Sequence, residues 1–201
     1  MIGIIDYESG GNIHAFKNAF RILNMPYVVA DKPDLLDSCD KVFLPGVGSF
    51  DSAIKSLRNT GFDDYIKSTF TEPSGKKLFG VCVGLQVLCQ GSEEGRANGL
   101  GIFNTVVKKF DSTKVKIIPH MGWNSISTHN DSIFNGIDLA RGFYFLHGYK
   151  LDSDFDGAIS HAVYGSSFTC AARSEGCVGF QFHPEKSHGN GLRLIKNFLE
   201  E

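Results

Sequence analysis

Cys82 stands in the stretch Leu78-Phe79-Gly80-Val81-Cys82-Val83-Gly84-Leu85-Gln86, where an apolar run meets a Gly-x-Cys-x-Gly element and a helical pattern follows at once. This is the thiol counterpart of a nucleophile elbow, a tight turn that lifts a reactive atom above the edge of a sheet. Glycine at 80 and 84 fits such a turn, because side chains there would meet the neighbouring strand or a substrate. A cysteine at a helix N-terminus lies at the positive end of the peptide dipoles, which favours thiolate over thiol. The backbone N–H of Val83 would point to where an oxyanion develops. Read alone, the same stretch also describes a small core residue between packing glycines, since free cysteine is among the most buried residue types. Cys89, two helical turns further on, reads as core.

A base with its orienting acid stands near the C-terminus, in Gly179-Phe180-Gln181-Phe182-His183-Pro184-Glu185-Lys186-Ser187. Pro184 biases His183 toward extended backbone. In extended chain residues two apart share a side, so Glu185 can hold the imidazole. Two other readings stay open: a structural His–Glu pair, and a metal site on His183, Glu185 and His188. The metal reading lacks a fourth ligand at recognisable spacing and leaves Cys82 unexplained. The third stretch is Leu44-Pro45-Gly46-Val47-Gly48-Ser49, whose glycines leave backbone N–H groups open at the carboxyl edge of a sheet. A plain turn is the alternative; a phosphate loop would need a Gly-Lys-Ser/Thr ending. Together the stretches supply nucleophile, base and orienter.

Elements must bring these residues to one place. Residues 2–6, 27–30, 41–44 and 77–81 read as buried strands. Helical patterns follow Asn12, a good cap, with Ile13, Phe16, Phe20 and Leu23 on one face, and recur at 52–58 and 62–70. A turn is expected at Glu8-Ser9-Gly10-Gly11. This rhythm predicts an α/β fold with a mostly parallel, flavodoxin-like central sheet and helices on both faces. Beyond residue 99 strands are expected at 102–110, 115–118, 123–128, 143–151, 158–163, 168–172 and 178–182, an added strand-rich, partly antiparallel layer. Leu192, Ile195, Phe198 and Leu199 mark a closing helix. Nothing divides the chain, so residues 1–201 read as one domain.

Composition excludes several classes. A net charge of −2 over 201 residues gives no basic footprint for nucleic acid. No run approaches the roughly 18–20 apolar residues of a membrane span, and the N-terminus lacks a signal-peptide pattern. Five cysteines, odd in number and without C-x-x-C spacing, argue against a disulfide framework and for a reducing cytoplasm.

With these residues in view, the chain resembles the class I, triad-type glutamine amidotransferases, and among them the glutaminase subunits of imidazole glycerol phosphate synthase. The resemblance runs nearly end to end. It passes through Ile5-Asp6-Tyr7 with Gly11-Asn12, Pro45-Gly46-Val47-Gly48, the elbow, Pro119-His120-Met121-Gly122-Trp123-Asn124, Tyr144-Phe145-Leu146-His147-Gly148-Tyr149 and Gln181 to Ser187. The elbow and His-Pro-Glu are general to the class; the Pro119–Asn124 run and the short loop at Pro45 favour this kind of subunit. The resemblance implies a Cys82, His183 and Glu185 triad, Val47 and Val83 as backbone oxyanion donors, and Gly46, Gln86 and Glu94 as substrate-binding residues. It also implies Asn12, Trp123, Asn124, Tyr144, His147 and Lys186 at the interface with a (β/α)8-barrel cyclase in a heterodimer. L-glutamine would be the substrate, with no cofactor and no metal.

Some residues depart from the usual pattern. Gly10 precedes Gly11-Asn12 where Met or Ala is more common, Val83 and Leu85 replace leucine and methionine, and Gly148 stands where Ser or Thr is typical. These departures keep open a paralogous subunit that supplies ammonia for amidating a cell-surface sugar. A partner-independent hydrolase of related fold and a catalytically silent regulatory module are the remaining alternatives.

Overall fold

A computed structural model describes residues 1–7, 12–71 and 74–201; the turn expected at Glu8-Ser9-Gly10-Gly11 lies outside the described residues. The first half alternates β1 (Ile2–Ile5), α1 (Ile13–Ile22), β2 (Tyr27–Ala30), β3 (Lys41–Leu44), α2 (Phe50–Thr60), α3 (Phe62–Phe70), β4 (Lys77–Val81) and α4 (Val83–Gln86). The second half is richer in strands: β5 (Cys89–Ser92), β6 (Phe103–Lys109), β7 (His120–Asn124), β8 (Ser127–Thr128), β9 (Phe143–His147) and β10 (Tyr149–Lys150). Then come β11 (Ala158–Tyr164), β12 (Ser166–Arg173), β13 (Cys177–Phe180) and α5 (His188–Glu200).

Eight strands form one sheet in the order β2-β1-β3-β4-β13-β12-β11-β8. The first five are mutually parallel and the last three antiparallel. Part of the expected antiparallel layer is thus an extension of the parallel sheet. The rest forms two small sheets, β10-β6-β5 and β7-β9.

Strands covered on both faces must be apolar throughout, which is why β1, β3 and β4 read as short unbroken runs. One face carries Phe43, Phe79 and Phe180, with ring centroids 4.8 Å and 4.7 Å apart along the row. Phe20 of α1 and Phe198 of α5 pack onto that row at 4.8 Å and 4.9 Å. The opposite face is cut away where Gly80 and Gly179 stand side by side. A methyl at 179 would overlap Leu85, so α4 occupies the space that the glycines leave.

Helix ends follow local chemistry where it is present. The Asn12 side chain accepts a hydrogen bond from Ala15 N at 3.3 Å, as its type suggests. Gly61, at φ 76°, ends α2 and opens α3 in the left-handed region that glycine tolerates. α2 starts earlier than its pattern predicts because Glu94, 44 residues away, accepts a hydrogen bond from Phe50 N at 2.8 Å.

Several expectations are corrected. Residues 115–118 form no strand, 116–118 being bends, with Ile117 and Ile118 exposed. The helix after Cys82 stops within one turn, and Cys89 opens a strand that the apolar pattern does not announce. The 123–128 segment is two strands, and 143–151 breaks at Gly148.

The elbow tolerates no bulk. A Cβ on Gly84 would overlap the Leu44 carbonyl oxygen, whereas one on Gly148 would meet only Ile118 Cγ2 at 3.6 Å. Gly84→Ala is therefore expected to cost about 1–3 kcal/mol, seen as a lowered urea midpoint, while Gly148→Ala leaves the midpoint in place. Equal midpoints for the two variants would contradict the tight packing of the elbow.

Candidate active site

Cys82 sits between β4 and α4 at φ 54°, ψ −110°, a backbone conformation that a side chain rarely adopts. Its N–H donates to Phe180 O at 2.7 Å, tying the turn to β13. Because α4 is only four residues long, its dipole acts through a single turn, less than the sequence suggests. Val83 is the first residue of that turn, so its N–H has no intrahelical partner. The thiol lies 3.7 Å from Leu146 O and 3.7 Å from the amide nitrogen of Gln181.

His183 approaches from the C-terminal side. Its backbone is extended at φ −103°, ψ 94°, as a residue before proline should be. Glu185 reaches it by a different route from the one expected. Residues Pro184–Lys186 form a 3-10 turn, and the turn, not extended chain, places Glu185 Oε1 2.9 Å from His183 Nδ1. A carboxylate can only accept, so Nδ1 carries the proton and the other ring nitrogen is left free for Cys82, whose hydrogen bonding and charge act on the ring. Both side chains are almost wholly buried. Burial disfavours the imidazolium, but the hydrogen bonds and charges of Cys82 and Glu185 outweigh it and raise the His183 pKa to about 10. The segment is pinned to β9: His183 N donates to Tyr144 O at 2.8 Å, and Ser187 Oγ accepts from Tyr144 N at 3.0 Å.

Sulfur and imidazole border a cavity of about 270 Å³. Val47 and Gly48 form one wall, Val83, Gln86 and Glu94 another, and Leu146 to Tyr149 a third, with Lys186 beside His183. Gly46, expected to touch substrate, is not among the walls; it packs behind them, where a Cβ would overlap Gly84 N. Of the residues expected at a partner interface, Trp123 is 43% exposed and stacks on His188 at 5.5 Å. Among the described residues no three His, Cys, Asp or Glu side chains are grouped so as to hold a metal ion. Asn12, Asn124, Tyr144 and Lys186 are part-exposed, and the Lys186 ammonium lies 6.0 Å over the Tyr144 ring. His147 is the exception. It is 6% exposed and lines the cavity, so it faces inward and not toward a partner.

A second histidine lies behind it. His147 Nδ1 is 2.7 Å from Tyr149 O, an obligate acceptor, so that nitrogen carries the hydrogen. His147 Nε2 then accepts from His120 Nδ1 at 3.0 Å, and His120 Nε2 accepts from the Asn124 amide at 3.3 Å. The chain works only with both rings neutral. Residue type and spacing alone assign no role in the site to His120 or Gln181. The signal available is position: β7 sets His120 opposite His147, and Gln181 stands two residues before His183.

A thiol, an imidazole and a carboxylate in line at the edge of a cavity can perform nucleophilic acyl transfer. The family model for class I glutamine amidotransferases matches residues 5–201, and the chain belongs to that family. A protein of Leptospira borgpetersenii named imidazole glycerol phosphate synthase subunit HisH is 42% identical over 205 residues, with 98% of each chain covered. Its namesake in Leptospira interrogans is 40% identical over 203 residues with the same coverage. A crystal structure described as that of a glutamine amidotransferase superposes with a TM-score of 0.72. The match covers 99% of this chain and 97% of the other at 20% identity, and so speaks for the fold alone. Among the described residues no helix is long and apolar enough to cross a membrane.

The buried histidines make stability sensitive to acid. Burial pushes the His120 pKa down to about 4. Burial first, then the nearby His120 and His183, push His147 down to about 3 against the opposing pull of the Tyr149 carbonyl. An unfolded histidine takes its proton near pH 6.5, roughly, while the folded pair stays neutral. The contribution of this pair to stability is therefore full above that pH and is lost as pH falls toward about 4 for His120 and about 3 for His147. The urea midpoint should drop across this window, and drop less steeply in His147→Gln. An equally steep drop in the variant would contradict this origin.

Proposed function

We propose that this chain is the glutaminase subunit of an imidazole glycerol phosphate synthase. It hydrolyses L-glutamine to glutamate and ammonia and passes the ammonia to a (β/α)8-barrel cyclase in histidine biosynthesis. The observation that carries the chemistry is the Cys82–His183–Glu185 alignment at the cavity edge. The acceptor reading rests on relatives that match end to end and bear that synthase's name, which favours it over sugar amidation.

Cys82 thiolate attacks the side-chain amide carbon of glutamine, and the carbonyl oxygen takes the displaced electron pair. Val47 and Val83 N–H groups stabilise that oxyanion; losing one such donor costs about 3–4 kcal/mol in comparable sites. The imidazolium of His183 gives its proton to the leaving nitrogen, so ammonia departs and a thioester remains. His183 then takes a proton from water, whose oxygen attacks the thioester and releases glutamate. Glu185 holds the imidazole in the right tautomer throughout. Gln86 offers its carbonyl oxygen and Glu94 its charge to the amino-acid end of the substrate.

Ammonia released into bulk water would be diluted and protonated, so direct transfer to a docked partner is favoured. Met121, Trp123, Ile118 and Val47 are exposed apolar groups on or beside the cavity walls, and with Asn12, Asn124, Tyr144 and Lys186 they form the docking face. A reducing cytoplasm suits a working thiolate.

Cys82→Ala should abolish glutamine-dependent synthesis by the reconstituted complex and leave synthesis from ammonium salt intact. Retained glutamine-dependent turnover would overturn the proposal, and loss of both activities would place the defect in docking.

A further inference from the structure

Gln181 is wholly buried and is the first residue beyond β13, two positions before His183. Its amide touches the nucleophile, and which end of it does so can be worked out. Tyr149 O can only accept, so the group of Gln86 that lies 3.3 Å from it is the NH2. The same nitrogen lies 3.0 Å from Gln181, which must answer with its oxygen. The NH2 of Gln181 is thereby left pointing at Cys82 Sγ, 3.7 Å away. A flip of either amide would set like groups against each other, so the order Tyr149, Gln86, Gln181, Cys82 is fixed by one backbone carbonyl.

We infer that Gln181 is a catalytic residue, a buried donor that stabilises the Cys82 thiolate, and that Gln86 is the positioning residue that keeps the donor turned toward sulfur. The inference rests on Cys82 being the nucleophile. A donor facing sulfur favours the anion over the thiol, because a hydrogen bond to a charged acceptor is stronger than one to its neutral form. It acts from the side of the sulfur next to β13, while His183 provides the countercharge. It also bears on the thioester step: the donor holds the sulfur as a leaving group when water displaces it. Gln86 therefore serves two ends, its nitrogen bound inward and its oxygen left for the cavity.

The test is the pH dependence of Cys82 alkylation by iodoacetamide in the full chain. This displacement at carbon consumes thiolate and needs no oxyanion donor. Mass spectrometry first confirms that the label sits on Cys82; a label elsewhere overturns both this inference and the functional reading beneath it. Gln181→Leu should raise the alkylation midpoint by about one pH unit. Gln181→Glu, of the same shape but able only to accept, should raise it further. Gln86→Leu should give a smaller rise. Circular dichroism and the urea midpoint verify that each variant is folded, and a folded Gln181→Glu carries the test if Gln181→Leu does not fold. Labelling of Cys82 with an unchanged midpoint in folded Gln181→Glu would overturn the inference while leaving Cys82 as nucleophile.

Discussion

The turn after β4 and the loop after β3 touch backbone to backbone, Gly84 against the Leu44 carbonyl and Gly46 against the Val83–Gly84 peptide. A side chain on either glycine would force them apart. The contact places Val47 and Val83 on neighbouring walls of one cavity and holds Cys82 in its left-handed conformation above the sheet edge. Gly80 and Gly179 contribute from below, since they let α4 settle close to the sheet. Four glycines in three strands or their flanks thus determine where one sulfur sits. The cost in backbone entropy is offset by a core of tilted and edge-to-face aromatic rings on the other face.

Within this frame, one residue type is driven in opposite directions at two points of the same cavity. His183 is buried between Cys82 and Glu185, and although burial disfavours its charged form, the hydrogen bonds and charges of those two groups raise its pKa. His147, in another wall of the cavity, is buried among phenylalanine rings with a carbonyl and a neutral ring as its hydrogen-bond partners, and burial lowers its pKa. The two effects reinforce each other, because the positive charge on His183 further disfavours a second one on His147. Glu185 Oε2 has no hydrogen-bond partner among the described residues, so the His183 contact is the main interaction that the buried carboxylate makes. That one-to-one pairing holds the ring nitrogen toward sulfur.

Much of this was legible from residue type and spacing. The elbow and the glycine loop encode their geometry locally, and α3 begins and ends where its pattern and Gly61 require, whereas Glu185 meets His183 through a 3-10 turn and not the expected extended chain. What could not be read was set by distant groups. The start of α2 depends on Glu94, and the brevity of α4 on β5 pairing with β6, neither of which leaves a mark in the neighbouring sequence. Residues 115–118 are rich in β-branched apolar residues, as a strand is, but among the described residues they pair with no strand, and Ile117 and Ile118 are exposed. The resemblance implies His147 at a partner interface; the register with β7 instead sets it against His120. Gln181 is visible as a letter in a motif, but its orientation follows from a chain of amides spanning 95 residues.

Strand β7 shows how little separates the inside of this site from its outside. Alternation along a strand sends successive side chains to opposite faces. His120 is buried in the hydrogen-bonded chain behind the cavity, while Met121 is 66% exposed and Trp123 lies on the same side as Met121. β7 pairs with β9, whose Tyr144 carbonyl holds the backbone of His183 and whose His147 lines the cavity. A partner that covers Met121 and Trp123 therefore bears on a two-stranded ribbon whose other face carries the histidine pair and whose second strand anchors the base. Among the described residues no β ladder joins the ribbon to the parallel core or to the three-stranded sheet; side-chain hydrogen bonds and the His183–Tyr144 link tie it to its neighbours. Contacts made outside can reach the imidazole through two strands, without passing through the sheet that fixes the sulfur.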